Sequence, residues 1–239
     1  MPEHPVDILY EEGPCLVVAK PSGVLTQAPA GIDSLELRLK SFLKARDGKT
    51  GNIYLGVPHR LDRPVSGAMV FARHVRASRR ISDQFATRTV KKVYWACVSG
   101  HVEPREGTWN DYVRKIPGQP QAEIVAADQA DGREAVLHYR VIGETQFGSW
   151  LSIELETGRM HQIRVQAAAR GHAVLGDAMY GSTVSFGEAF EDERLRAIAL
   201  HARQLGLQHP MTQEAVDVTA PLPEAWAALQ LPSLDASEE

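Results

Sequence analysis

The run His59-Arg60-Leu61-Asp62-Arg63-Pro64-Val65-Ser66-Gly67 places one carboxylate among two arginines and a histidine, with Pro58 before it and Gly67 closing it. A carboxylate beside cations is ionised at neutral pH, so Asp62 is poorly suited to donate a proton. Four roles remain open to it: nucleophile, electrostatic stabiliser, metal ligand, or structural partner of an arginine. A second group of chemical interest follows Thr157-Gly158-Arg159, where His161 and Arg164 lie three residues apart on a stretch with helical spacing. There they are expected to share one side near a helix N-terminus, where the macrodipole favours an anion.

These groups need elements to position them. The apolar run Ala68-Met69-Val70-Phe71-Ala72 reads as a buried strand that holds the Asp62 loop at a sheet end. Upstream, residues 7–20 read as strand, turn (Glu11-Glu12-Gly13-Pro14) and strand, running into Lys20-Pro21-Ser22-Gly23. That turn either brings the Lys20 ammonium toward a phosphate or is an ordinary solvated turn. Asp33 or Ser34 caps a helix to about Arg46, with Leu35, Leu39, Phe42 and Leu43 inward. A second helix is expected from about Arg76 to Thr87, with Ala77, Ile81 and Phe85 inward and Arg76, Arg79, Arg80 and Arg88 toward solvent or a polyanion.

Residues 92–100 form a strand in which Tyr94 and Trp95 face opposite ways, so that one of them looks into a cleft while the other packs. The segment 105–148 gives only hairpin-like pieces, around 111–115, 122–126 and 135–142. Strand 150–156 then leads into a helix over 160–170 that packs through Met160, Ile163 and Ala167 and ends at Gly171. Two further strands lie in 197–209 and 216–219, with a short helix over 223–229.

With 239 residues, 44% of them hydrophobic, the chain can bury one substantial core. Cys15 and Cys97 sit in apolar runs and are expected to be buried free thiols, which implies a reducing compartment. The N-terminus lacks the features of a signal peptide, and no apolar run approaches the ~20 residues that span a bilayer, so a cytoplasmic protein with no membrane association is expected. The net charge is −4, yet residues 60–92 carry nine Lys/Arg against Asp62 and Asp83, a local balance of +7 that suits a nucleic-acid phosphate track. There is no Walker loop, dinucleotide glycine pattern or His-Glu-x-x-His site; no nucleotide cofactor, no other cofactor and no metal are expected.

Four blocks in order carry a resemblance: Leu-Val-Val-Ala-Lys-Pro-Ser-Gly-Val (16–24), His-Arg-Leu-Asp-Arg-Pro-Val-Ser-Gly (59–67), Lys-Val-Tyr-Trp-Ala-Cys-Val-Ser-Gly (92–100), and Leu-Glu-Thr-Gly-Arg-Met-His-Gln-Ile-Arg-Val (155–165) with Gly-Asp-Ala-Met-Tyr-Gly (176–181). Together they make the chain resemble the RluA-type pseudouridine synthases over nearly its whole length. The resemblance implies an α+β fold, a mostly antiparallel, curved mixed sheet with flanking helices (the pseudouridine synthase fold), and an active site in a cleft across its middle. It implies that residues 7–228 form the catalytic domain as two lobes around that cleft, that 229–239 form an acidic tail, and that no separate N-terminal RNA-binding module is present.

The implied reaction is isomerisation of a uridine in a structured ribosomal or transfer RNA, by base flipping and an aspartate-dependent rearrangement of the glycosidic bond, in a monomeric enzyme. Asp62 falls on the family's catalytic aspartate. Tyr94 falls on the tyrosine that stacks on the uracil and assists proton transfer, and Arg164 on the arginine that pairs with the aspartate. Arg60 falls on the residue that fills the space left by the flipped base. The remaining RNA contacts are expected from His59, Lys20, Arg76, Arg79, Arg80, Lys92, Arg159 and His161. The chain departs from the family at Val65, where relatives often carry Thr, and at Gln166-Ala167, where His-Leu is frequent.

Rival functions are a two-carboxylate glycoside hydrolase, with Glu156 or Asp177 as second carboxylate, and a non-catalytic RNA-binding module. A kinase reading of His-Arg-Leu-Asp fails because the extra Leu breaks the catalytic-loop spacing and no Gly-rich phosphate loop precedes it.

Overall fold

The first structured segments are β-branched and apolar, and they pair as expected. In the computed structural model, which describes residues 6–29 and 31–233, strand β1 (Asp7–Glu12) turns through Gly13 and Pro14 into β2 (Cys15–Lys20). The expected acidic tail lies largely outside the described residues, as does the start of the chain. Helix α1 (Leu35–Arg46) takes Ser34 rather than Asp33 as its cap: the Ser34 hydroxyl accepts from the Leu37 amide at 3.3 Å, while Asp33 pairs with Arg38.

Strand β3 (Ser66–Ala72) is buried throughout, and helix α2 (Val75–Ala86) follows after a cap by His74, whose Nδ1 accepts from the Ala77 amide at 3.1 Å. Strand β4 (Lys91–Cys97), β5 (Glu106–Lys115), β6 (Ala122–Val125), β7 (Arg133–Thr145) and β8 (Gly148–Leu155) come next. Helix α3 (Gln162–Ala169), 3-10 turns at Ala178–Tyr180 and Glu193–Leu195, β9 (Leu200–Gln208), β10 (Ala215–Thr219) and a 3-10 turn (Glu224–Leu229) complete the order. The fold is α+β, and the β1·β2, β2·β3, β9·β10, β4·β8, β5·β6, β5·β7 and β7·β8 ladders are antiparallel.

Contacts divide the chain into two compact units. The first runs to Lys92 and includes Ala202–Leu222; the second comprises Val93–His201 and the chain from Pro223. In the first unit the strand order is β1-β2-β3-β9, with β10 on β9. Its core joins Cys15 and Val17 of β2, Val70 of β3, Ala77 and Ile81 of α2, Leu205 and Leu207 of β9, and Val216 and Val218 of β10. Ile81 is fully buried, which stabilises by roughly 1.5–3 kcal/mol. The inward spacing of α2 thus matches the four-residue periodicity of its apolar residues.

In the second unit the order is β4-β8-β7-β5-β6. Val113, Ala122, Ala135 and Val165 form a core there, with Met160 and Tyr180 packed on it. The hairpin-like pieces expected in 105–148 are parts of strands up to 13 residues long, because polar residues alternate on an exposed face and mask their continuity. Both cysteines are buried free thiols, and burial pushes the Cys15 thiol up to about 12. Among the described residues no helix is long and apolar enough to cross a membrane.

Candidate active site

The Asp62 loop is held by the turn that follows β2. Lys20 is only 1% exposed, and its Nζ donates to the carbonyls of Pro21 (2.9 Å), Arg63 (3.2 Å) and Val65 (2.7 Å). Three acceptors match the three N–H bonds of an ammonium. Thr26 adds a double contact, its Oγ1 accepting from the Leu61 amide (3.2 Å) and donating to the Leu61 carbonyl (2.9 Å). The Gly23 amide donates to the Arg63 carbonyl (2.8 Å), and Arg63 Nε donates to the Gly23 carbonyl (2.8 Å). Asp62 therefore sits half-buried at the middle of a loop fixed on both sides, and Arg63 acquires a structural role.

Gly67 ends the loop with φ +121°, where a Cβ would stand 2.3 Å from the Ala202 carbonyl oxygen. Only glycine permits that approach of β3 to β9.

These contacts revise two expected RNA ligands. Lys20 is a buried loop clamp, because carbonyls surround its ammonium; burial pushes that ammonium down to about 7, with Asp62 opposing the shift and Arg63 adding to it. His59 is a half-buried acceptor: its Nε2 takes the Val70 amide at 3.0 Å and its ring stacks on Phe85 at 4.5 Å. Burial, with the Lys92 charge as a second cause, pushes His59 down to about 3.

His59 is thus neutral when folded and protonates near 6.5 when unfolded, so the unfolded chain binds the extra proton between these values. Stability is expected to fall as pH drops from about 6.5 toward 4, by up to ~1.4 kcal/mol per pH unit from this group. Denaturant unfolding of wild type and His59→Gln across that range checks it, the variant showing a shallower acid slope; parallel slopes would refute the assignment.

On α2, Arg76 and Arg79 are exposed. Arg80 is not a free RNA ligand: its Nη1 donates to the Pro210 carbonyl at 2.6 Å and holds the turn after β9. Arg60 is exposed and Lys92 is half-buried.

In the second unit Tyr94 pairs in register with Ile153, and the side chains of Trp95 and Trp150 meet edge to face at 4.8 Å. Trp95 is the aromatic that packs, and Tyr94 stays partly exposed. Helix α3 begins at Gln162, two residues later than expected. The reason is a side-chain turn: Gln162 Oε1 accepts from Thr157 Oγ1 (2.7 Å) and from the Arg159 amide (3.0 Å). His161 therefore lies before the helix in a left-handed conformation (φ 53°) and does not share a helical side with Arg164. Its Nδ1 meets the Tyr180 hydroxyl at 2.9 Å, and Arg159 Nε donates to the Glu134 carbonyl at 2.7 Å.

All of Gln162 to Ala167 is buried, so α3 is not the amphipathic helix that the spacing suggests. Arg164 is embedded in it and grips Asp177 through two hydrogen bonds, Nε to Oδ2 (2.6 Å) and Nη2 to Oδ1 (2.8 Å). The two side chains are 4% and 1% exposed. Breaking such a buried pair by removing one partner costs about 3–5 kcal/mol. The Arg164 guanidinium carbon also lies 5.0 Å over the Tyr180 ring. Asp177 and Tyr180 are absent from the expected site set; the only signal is that both fall in the Gly-Asp-Ala-Met-Tyr-Gly block.

The hydrolase candidates are otherwise engaged, Asp177 by Arg164 and Glu156 by His138 Nε2 at 2.6 Å. Both family departures are structural. Val65 is buried and supplies a carbonyl to Lys20, while fully buried Gln166 donates to the Asp111 carboxylate (2.7 Å) and the Ala135 carbonyl (3.1 Å).

Residues 14–169 match the sequence profile of the RNA pseudouridylate synthase family. The chain belongs to that family. The synthase is 36% identical over 227 residues to an RNA pseudouridine synthase of Synechocystis sp., covering 94% of this chain and 68% of that protein. It is 34% identical to ribosomal large subunit pseudouridine synthase D of Xanthomonas campestris, covering 92% of this chain and 67% of that one. Among solved structures, human RNA pseudouridylate synthase domain containing 4 superimposes with a TM-score of 0.77 at 22% identity, covering 96% of the synthase and 95% of that chain. Human RNA pseudouridylate synthase domain containing 1 gives 0.74 at 25% identity, covering 98% and 92%. The protein is accordingly an isomerase that forms pseudouridine in RNA, with the pseudouridine synthase fold.

Proposed function

We propose that the synthase converts a uridine of large-subunit ribosomal RNA, acting as a cytoplasmic monomer, with Asp62 as the catalytic aspartate. The observation that carries the assignment of Asp62 is the loop clamp: the carbonyls of Leu61, Arg63 and Val65 are all bound, while the side chain between them stays half-exposed. A group held that way meets substrate with little further ordering. Tyr94 stacks on the uracil and assists proton transfer, Arg164 supplies the cation for the Asp62 carboxylate, and Arg60 fills the stack vacated by the base. Flipping costs a few kcal/mol, least where the base is unpaired, so a looped target in a structured RNA is favoured. The ribosomal choice is supported by the names of the Xanthomonas and Zymomonas relatives.

Pseudouridine mapping of ribosomal and transfer RNA from cells with and without the gene tests the substrate. Loss of pseudouridine from a large-subunit position is expected; loss confined to transfer RNA would reject the ribosomal target. The exposed arginines of α2 serve as a phosphate track in this reading. Arg76→Ala with Arg79→Ala is expected to weaken binding to unmodified RNA and to lower the slope of log affinity against log salt by about 1 per arginine. An unchanged slope in a filter-binding titration would place the track elsewhere.

A further inference from the structure

We propose that Asp177 and Tyr180 are positioning residues for Arg164, fixing the plane and direction of its guanidinium before RNA arrives. The proposal rests on the role given above to Arg164. Asp177 engages two nitrogens of the fork at 2.6 and 2.8 Å, and two parallel bonds remove the freedom to turn about the last side-chain torsion. Tyr180 lies against the guanidinium at 5.0 Å and blocks tilt out of that plane. A third contact comes from Met179, whose sulfur is 3.6 Å from Nη2.

All three residues sit on one short turn whose own backbone is fixed. Gly176 enters it at φ +86°, where a Cβ would stand 2.7 Å from the Ala197 carbonyl oxygen. Within the turn the Asp177 carbonyl accepts from the amides of Tyr180 and Ser182, each at 3.0 Å. The Tyr180 hydroxyl, besides meeting His161, accepts from the Ala122 amide at 2.8 Å and so ties the turn to β6. Neither the carboxylate nor the ring can follow Arg164 if it swings. The stability argument points the same way. Well-packed apolar residues usually stabilise a buried site as well as an ion pair does, so a buried fork held on two sides contributes orientation above all. This makes the turn a jig for one cation.

The test uses the full-length protein, single-turnover pseudouridine formation, and ribosomal RNA from cells lacking the gene. Asp177→Asn is expected to lower the rate constant about 100-fold, as a displacement of about 1 Å of a reacting group would, with the KM for RNA within about threefold of wild type. Arg164→Ala is run beside it. If Arg164→Ala keeps full turnover, the role of Arg164 is wrong. If Arg164→Ala is inactive while folded Asp177→Asn turns over at the wild-type rate, positioning by Asp177 is wrong. Should Asp177→Asn unfold at the assay temperature, Tyr180 decides. Tyr180→Leu is expected to lose about tenfold in rate and Tyr180→Phe, which keeps the ring, to retain it; wild-type rates in both would overturn the proposal.

Discussion

Asp62→Asn is expected to abolish pseudouridine formation, with a drop of at least ~10³-fold in turnover, while RNA affinity changes by no more than about threefold. The asparagine is nearly isosteric, and the substitution leaves in place the backbone groups of Leu61, Arg63 and Val65 through which Thr26 and Lys20 hold the loop. Folding and loop shape are therefore preserved while the charge is removed. Attack on the sugar and abstraction of a ribose proton both require the carboxylate, so the expectation holds for either course. A normal yield of pseudouridine from the variant, read by mapping after incubation with RNA from cells lacking the gene, would remove Asp62 from the chemistry.

Lys20→Met has the largest expected effect on stability. It leaves three carbonyls without their donor, and a buried acceptor stripped of its partner costs about 1–3 kcal/mol; the released desolvation cost of the ammonium offsets part of this, for a net loss of roughly 2–4 kcal/mol. The pH dependence gives the result its signature. Burial pushes Lys20 down to about 7 from 10.5, so between those values the unfolded chain binds a proton that the folded chain does not. In that window the wild-type stability rises with pH, by at most ~1.4 kcal/mol per unit from this group. The methionine variant lacks the rise, so its deficit relative to wild type is expected to grow from pH 7 to pH 9.5. Guanidinium unfolding at several pH values measures it, and a deficit that shrinks toward alkaline pH would contradict the assignment. Turnover is expected to fall with the clamp, because Asp62 lies between two of the clamped carbonyls.

Much of the architecture was legible because local and tertiary preferences agree. The inward residues of α2 repeat every four positions, and Ala77 and Ile81 are the ones buried. The alternation at Tyr94 and Trp95 separated a packing aromatic from a partly exposed one. Where tertiary context overrides spacing, legibility fails. Helix α3 is buried on nearly every side, so no apolar stripe marks its inner face, and the Gln162 side chain delays its start.

Charge was the most misleading local signal. Lys20 and Arg80 read as cations for solvent or phosphate and Arg63 carried no assigned role, yet the structure turns each of them onto main-chain carbonyls. Apart from the adjacent Pro21 carbonyl bound by Lys20, these partners lie 130 residues away for Arg80, 40 for Arg63, and 43 and 45 for Lys20, distances at which a sequence carries no pairing information. Asp177 was hidden for the same reason: its partner Arg164 is 13 residues back across a turn, and a carboxylate in a Gly-Asp block has many ordinary uses.

The bonds that clamp the Asp62 loop also set how it moves. The amides of Gly23, Leu61 and Val70 are each held by a group from another segment, Arg63, Thr26 and His59 respectively. None of these can open alone without exposing a buried donor, so the two turns and the start of β3 should open together as one cooperative unit, drawn from the slowly exchanging part of the molecule. In the role proposed for Asp62, a loop of that kind does not mould itself to its substrate. Shape adaptation then falls to the RNA, and selection among uridines becomes a matter of which nucleotide can leave its stack and reach a carboxylate that stays where it is.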